Sequence, residues 1–281
     1  MGTVAALLLG LGILVVVWGI IQKVKAGRVA AAPFAKTGEV ATRGATVANA
    51  KGAISVEGAL QCAEPLLAPV TGTPCLYYEL TVVGSWKEGD TTHSKEYLKD
   101  RRAAAFAVDD GTGPVPVDAS QGGDFEPFEK TFEETKKEGF FADLKSIVGQ
   151  KQPIVFGNFA FDNPPMSAAN KFTCTERVFK APPRLFVLGK HDDGAIGPPS
   201  WASLVLSPKS RDQVLGSALK TAKACLVGGA AAVGVGLILG VVAHFVTPPE
   251  TAAAAVEPTV TIRTGGTVVH PAARPVRAKR R

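Results

Sequence analysis

The stretch "FAVDDGTGPVPVD" (Phe106–Asp118) decides how the middle of the chain is read. Phe106 and Val108 alternate with Ala107 and Asp109; Val115 and Val117 alternate with Pro114 and Pro116. A period of two marks strands with one buried face. Between the runs, Asp109-Asp110-Gly111-Thr112-Gly113 supplies glycines and short acceptor side chains, the residues of a tight turn. The stretch predicts a β-hairpin. A calcium loop is the competing reading, since Asp109, Asp110 and Thr112 offer oxygens. Calcium takes six or more ligands, however, and the distal glutamate of an EF-hand is missing. A turn accounts for all these residues.

Working outward, more short β-prone runs appear on both sides. "AISVEGAL" (Ala53–Leu60) and "PCLYYELTVVGSW" (Pro74–Trp86) precede the hairpin. "PIVFGNFAFD", "KFTCTERVFK", "RLFVLGK" and "WASLVLS" follow it, the last ending at Ser207. Residues 124–149 carry mixed charge with spaced phenylalanines and read as a helical or irregular insertion. "SPKSRDQVLGSALKTAK" starts a helix, with Ser207 as N-cap and Pro208 in the first turn.

The flanks are apolar. No charged side chain occurs from Val4 to Ile21, and only His244 and Cys225 are ionisable between Ala224 and Val246. About 20 apolar residues span a bilayer, so both runs are long enough. The first run lacks a basic n-region, and Lys23, Lys25 and Arg28 come after it, which favours an anchor; a cleaved signal peptide ending near "RVAAAPFA" is the alternative. The organisation expected is a first span over 1–22, a linker or loosely helical stalk over 23–50, and a β-rich domain over 51–206. An amphipathic helix over 207–223, a second span over 224–246 and a disordered basic tail over 247–281 complete it. Lys and Arg cluster on the inner flanks of both runs, so the positive-inside rule puts the domain in the cytoplasm and both ends outside. Gly236 and Gly240 form a GxxxG through which two helices can self-associate. Arg274, Arg277, Lys279, Arg280 and Arg281 end the tail and suit an anion or lipid headgroup.

Catalytic patterns are scarce. Cys62, Cys75, Cys174 and Cys225 show no CxxC, against zinc. Cys75 has four readings: a nucleophile paired with His93, a metal ligand, half of a Cys62–Cys75 disulfide, or a small buried residue opening a strand. The last fits best. His93 and His191 lie in polar stretches that read as loops. No glycine loop matches a phosphate-binding pattern and no serine sits in a nucleophile elbow, so no cofactor is expected. Glu133 and Glu134 read as a solvated charged face.

In order, "ISVEGALQCAEPLLAPVTGTPCLYYELTV", "AFAVDDGTGPVPVD", "RLFVLGK" and "LSPKSRDQVLGSALKTAK" ahead of an apolar run resemble the GIDE domain. This is the beside-a-membrane domain of the mitochondrial ubiquitin ligase activator type and its bacterial relatives. The positions that carry the likeness are Gly58, Pro74, Cys75, Tyr77, Asp110, Gly111, Gly113 and Gly189. The resemblance implies an integral, two-pass protein of a bacterial inner membrane. Its domain would bind partners or sense signals, in membrane stress for example, rather than catalyse. The eukaryotic members carry a RING finger after the second span, needing a full set of Cys/His ligands for two zinc ions. After Thr247 this sequence has no cysteine and one histidine, His270, so ubiquitin transferase activity is the alternative function and a cysteine-dependent enzyme using Cys75 a further one. The mitochondrial members place the domain in the intermembrane space, unlike the charge rule here. "FAVDDGTGPVPVD" with "IVFGNFAF" also looks like part of an OB-type barrel. Its aromatics (Tyr77, Tyr78, Phe106, Phe156, Phe159) alternate as core residues without interleaved cations, so nucleic acid is not expected as a partner. The lipid bilayer and an unidentified protein are. The fold class is thus an α+β membrane protein with a β-rich, OB-like domain between two transmembrane helices.

Overall fold

The computed structural model describes residues 2–137, 153–162 and 169–246. It is an α+β structure in which a β-rich centre lies between two long apolar helices, α1 (Gly2–Ala31) and α3 (Arg211–Val246). The first strand, β1 (Ala53–Gln61), pairs antiparallel with β6 (Phe106–Asp109) and, on its other edge, with β13 (Arg184–Asp192). β6 forms the expected hairpin with β7 (Val115–Val117). β7 pairs parallel with β14 (Ala195–Gly197), and β14 returns antiparallel to β13. The ring β1-β6-β7-β14-β13-β1 closes a five-stranded OB-like barrel. β15 (Leu204–Ser207) shares an edge of β13 and carries β8 (Gly123–Phe125) beside it.

Two insertions build a second layer. β4 (Tyr77–Glu88) and β5 (Thr91–Ala103) leave the barrel after β1; β9 (Glu129–Lys137) and β12 (Lys171–Phe179) leave it after β8. They form a four-stranded sheet in the order β5-β4-β12-β9. The short pairs β2 (Leu66–Leu67) with β3 (Pro74–Cys75), and β10 (Ile154–Phe156) with β11 (Phe159–Phe161), flank it.

Alternation explains which strand faces what. Along β13, Leu185 and Val187 enter the barrel core, while Phe186 and Leu188 pack outward with Val29 of α1 and Val214 of α3. In β15, Leu204 and Leu206 point in and Val205 points out to the helices. Strands buried on both faces read as unbroken apolar runs, as these do. The sheet has its own core, with Tyr78, Leu80, Val82, Phe156, Phe172 and Val178. "PCLYY" sits where the two cores meet: Cys75 and Tyr78 belong to the sheet core, Leu76 and Tyr77 to the barrel core.

The helices form an antiparallel pair in close contact. A side chain at Gly12 would lie 2.8 Å from Val233 Cγ2, one at Gly19 3.0 Å from Cys225 Cβ, and one at Gly236 2.9 Å from Leu9 Cγ. Gly236 thus faces the partner helix of its own chain, with Gly240 one turn further along α3. The outer surfaces remain apolar: Leu7, Leu14, Trp18, Val227 and Ile238 are all exposed. By length and composition both helices can cross a bilayer.

Several expectations are corrected. Residues 23–50, expected as a linker or loosely helical stalk, are largely helical but not loose. α1 continues to Ala31, α2 spans Thr37–Arg43, and a short 3-10 turn follows at Gly44–Val47. The segment is fastened because Val29, Ala32, Thr37 and Val40 are buried, Val40 in the barrel core. Residues 124–137 form the end of β8 and all of β9 instead of a helix, because Glu129–Lys137 pairs with β12; the rest of that insertion lies outside the described residues. Ser207 is buried at the end of β15. The helix begins four residues later with a capping box: the Ser210 hydroxyl accepts from Gln213 N (3.4 Å), and Gln213 Oε1 accepts from Ser210 N (3.1 Å). One helix continues from Arg211 to Val246, without a break between an amphipathic part and a span. His93 and His191 lie on β5 and β13, not in loops. The tail residues Arg274, Arg277, Lys279, Arg280 and Arg281 lie outside the described residues.

Candidate functional site

The hairpin turn is a docking point. Asp110 Oδ1 accepts from Thr37 Oγ1 (2.7 Å), Thr112 N (3.0 Å) and Thr112 Oγ1 (2.5 Å), and Oδ2 accepts from Thr37 N (3.3 Å). Gly38 N donates to Thr112 Oγ1 at 2.9 Å. Partial desolvation raises the Asp110 pKa, but the hydrogen bonds from Thr112 and Thr37 outweigh it and hold the carboxyl at about 2. Asp109 Oδ1 takes Gly111 N (2.8 Å) and Gly113 N (3.2 Å), and its Oδ2 takes Gln61 Nε2 (2.9 Å). N–H and O–H donors occupy most of the acceptor sites of both carboxylates, and those of Thr37 fasten the turn to α2. Gly58 lies against this turn, and a Cβ there would sit 2.5 Å from the Asp109 carbonyl carbon and oxygen. Gly58, Asp110, Gly111 and Gly113 thus come together where β1, the hairpin and α2 meet.

The other motif positions lie elsewhere. Tyr77 stacks on Phe125 in the barrel core, centroids 4.5 Å apart. A Cβ at Gly189 would lie 2.5 Å from Gly197 O, so glycine lets β13 and β14 close the barrel. Pro74 is exposed beside buried Cys75. All four cysteines are free thiols. Burial first, then the nearby Glu176 charge, pushes the Cys75 thiol up to about 11. His93 cannot serve it: His93 stands opposite Trp86, whereas Cys75 precedes the Tyr77 end of β4, roughly 30 Å away at strand rise. The geometry describes an inert packed thiol.

Two features escaped the sequence reading. Glu176 is fully buried in β12, and its carboxylate accepts from Val70 N (2.7 Å), Thr71 Oγ1 (2.6 Å) and Thr131 Oγ1 (2.9 Å). It pins the turn before β3 and strand β9 to the sheet. Nothing in "KFTCTERVF" marks Glu176 as inward except its strand parity with Phe172 and Cys174.

The second is a charged clamp between barrel and helices. Lys25 of α1 pairs with Asp124 (2.8 Å) and Glu126 (3.6 Å), and Lys209, just before α3, also binds Glu126. Desolvation would raise Glu126, but Lys209 and Lys25 prevail and lower it. Arg211 Nη2 donates to the carbonyls of Val29 (3.1 Å), Ala30 (3.3 Å) and Ala32 (3.3 Å), a cation on the negative end of α1. Asn49 Nδ2 donates to Ala31 O at 3.0 Å. Among the described residues no cluster of His, Cys, Asp and Glu suits a metal ion.

Neither a curated protein nor a solved structure matches the chain. A family model, GIDE, described as E3 ubiquitin ligase, matches residues 79–242, which run from β4 through the barrel into α3 and include Asp110, Gly111, Gly113 and Gly189. That span is more than half of the sequence, and the chain belongs to the GIDE family.

Proposed function

We propose that this chain is a membrane-anchored interaction module of a bacterial inner membrane. It would present its β-rich domain on the cytoplasmic face, in a stress or signalling role, without catalysis of its own. The observation that carries this reading is the clamp: Lys25, Lys209 and Arg211 tie both helices and the barrel together where the apolar segments end. A clamp at that level suits a platform that holds the four-stranded sheet in a fixed pose over the bilayer. Polar edge strands β5 and β9 and the buried, protonated Cys75 agree with binding rather than turnover. The exposed face of the β6–β7 hairpin carries Ala107, Pro114 and Pro116 instead of aromatics and cations, against nucleic acid as the partner.

Full-length protein purified in mild detergent after carbonate washing tests the proposal. It should stay in the washed membranes and bring down a protein partner that a version lacking the four-stranded sheet loses. Release by carbonate refutes the anchor. The family description favours ubiquitin transfer as a second reading. That predicts stoichiometric zinc and chain formation with activating and conjugating enzymes; we expect neither.

A further inference from the structure

A cleft of about 500 Å³ opens beside α1, with a lining that does not include Lys25 or Lys209. Val24, Gly27, Arg28 and Ala31 form its wall, at the spacing of one helix face. A side chain at Gly27 would meet nothing within 4 Å, so the floor is open. Opposite stands Trp201, 48% exposed. Two cations flank its ring: Arg28 Cζ at 5.3 Å and Lys51 Nζ at 6.0 Å from the centroid. Arg28 Nη2 donates to Ser203 O (2.6 Å), which fixes the guanidinium, while its buried Nε has no hydrogen-bond partner. No carboxylate lies within ion-pair distance of Arg28 or Lys51 among the described residues, Asp124 acting on Arg28 only from further off, whereas Lys25 and Lys209 are paired. Two positive charges border one open cleft, a complement to one phosphate group.

The level of the cleft names the source of that phosphate. Both helices change from apolar to charged at the same height, since Gly19 packs against Cys225, and Lys23 and Lys223 follow on either side. Arg28 lies seven residues past Ile21, about 10 Å along the axis, and helical side chains lean back toward the N-terminus, here toward the bilayer. That places the guanidinium in the headgroup layer, which is roughly 5–8 Å deep on each side. Tryptophan favours the same layer. Below the cations, exposed Val24, Ile21 and Ile20 offer an acyl chain a path along α1.

We propose that this cleft binds an anionic phospholipid, its phosphate between Arg28 and Lys51, its headgroup against Trp201 and one acyl chain along Val24. This rests on the membrane-anchored reading above. The test uses full-length protein in detergent micelles with Trp18→Phe and Trp86→Phe, so that emission reports Trp201 alone, titrated with phosphatidylglycerol. A saturable shift is expected. Lys51→Gln, which removes no hydrogen bond of the fold, should weaken binding about tenfold. Arg28→Gln with Lys51→Gln should abolish the shift. Lys23→Gln with Lys220→Gln, equally basic positions outside the cleft, should leave it unchanged. Equal loss in that control would show diffuse surface attraction and overturn the site. The same saturable shift with inorganic phosphate alone would overturn the lipid as its source. Flotation with phosphatidylcholine vesicles separates the two proposals: protein that floats with them yet shows no shift when titrated with phosphatidylglycerol refutes the cleft, and protein that does not float refutes the anchor itself.

Discussion

Two β-structures share this chain and are stabilised in different ways. The barrel closes on itself through β1 and β13, so its ring leaves no edge, and its core is filled by side chains such as Ile54, Val108, Val187 and Leu206. α1 and α3 cover Phe186, Leu188 and Val205 on the outside. The four-stranded sheet ends in the open strands β5 and β9, whose residues are mostly exposed or half-buried. Its order depends on one face of Tyr78, Leu80, Val82 and Phe172 and on the buried carboxylate of Glu176. A closed ring distributes stability over many contacts, whereas an open sheet concentrates it in a few. Among the described residues, this open and polar region is the one the proposed partner would meet.

The largest expected effect tests that concentration. Glu176→Ala strands the donors Val70 N, Thr71 Oγ1 and Thr131 Oγ1 and should destabilise the sheet by about 3 kcal/mol. Single-tryptophan proteins separate the regions during denaturation in detergent, because Trp86 lies in β4 and Trp201 beside the barrel. The Trp86 transition should move to lower denaturant and the Trp201 transition stay. A joint shift would mean that the two regions unfold as one.

Next, Gly58→Ala drives a methyl into the Asp109 carbonyl and should cost about 2 kcal/mol in overpacking. Here both transitions should shift, because β4 and β12 hang from the barrel. A shift of Trp86 alone would reverse the proposed hierarchy.

Cys75→Ser comes third, at about 1.5 kcal/mol, since a shorter hydroxyl cannot reach Leu66 O, already 3.7 Å from Sγ. Cys75→Ala should cost less, because no polar group is stranded. With its pKa near 11, the native thiol should alkylate slowly at neutral pH and quickly in denaturant. Fast native labelling would make it a reactive site.

The smallest effect is a pH dependence in the barrel. Asp110 has a folded pKa of about 2, below its usual 3.8, so its contribution is present above pH 3.8 and is lost as the pH falls through 2. With Asp110 exposed and screened, that amounts to about 1 kcal/mol. Asp110→Asn should flatten the Trp201 stability profile over this window, and the Trp86 profile with it, because the sheet hangs from the barrel. An unchanged slope would remove Asp110 as the α2 latch.

The same contrast governs what the sequence disclosed. Barrel strands were legible because burial imposes a pattern: "FAVD" and "VPV" alternate, and "RLFVLG" is apolar throughout because both faces are covered. β5 was not, since an edge strand with one half-covered face needs only Tyr97, Leu98 and Ala103 among thirteen residues. β9 misled for the same reason. α2 was invisible in an Ala/Thr/Gly stretch because its place is set by Thr37 meeting Asp110, residues far apart in sequence. The helix start is set by the reciprocal pair Ser210 and Gln213 and not by Ser207-Pro208, because Ser207 is taken up in β15. Of the motif positions, the glycines at close approaches were recognisable as a set, but their convergence on the Asp110 turn required the barrel. Glu176 and the Lys25 clamp arise from tertiary pairing and leave no local pattern.

The anchored, two-pass platform is tested most directly by sidedness. Asp90, exposed in the turn between β4 and β5, is replaced by cysteine in full-length protein carrying Cys62→Ser and Cys225→Ser. A membrane-impermeant thiol reagent should label Asp90→Cys in inverted vesicles only, and a reporter fused after Arg281 should score external. Labelling in right-side-out vesicles, or a cytoplasmic reporter, would contradict the proposed arrangement.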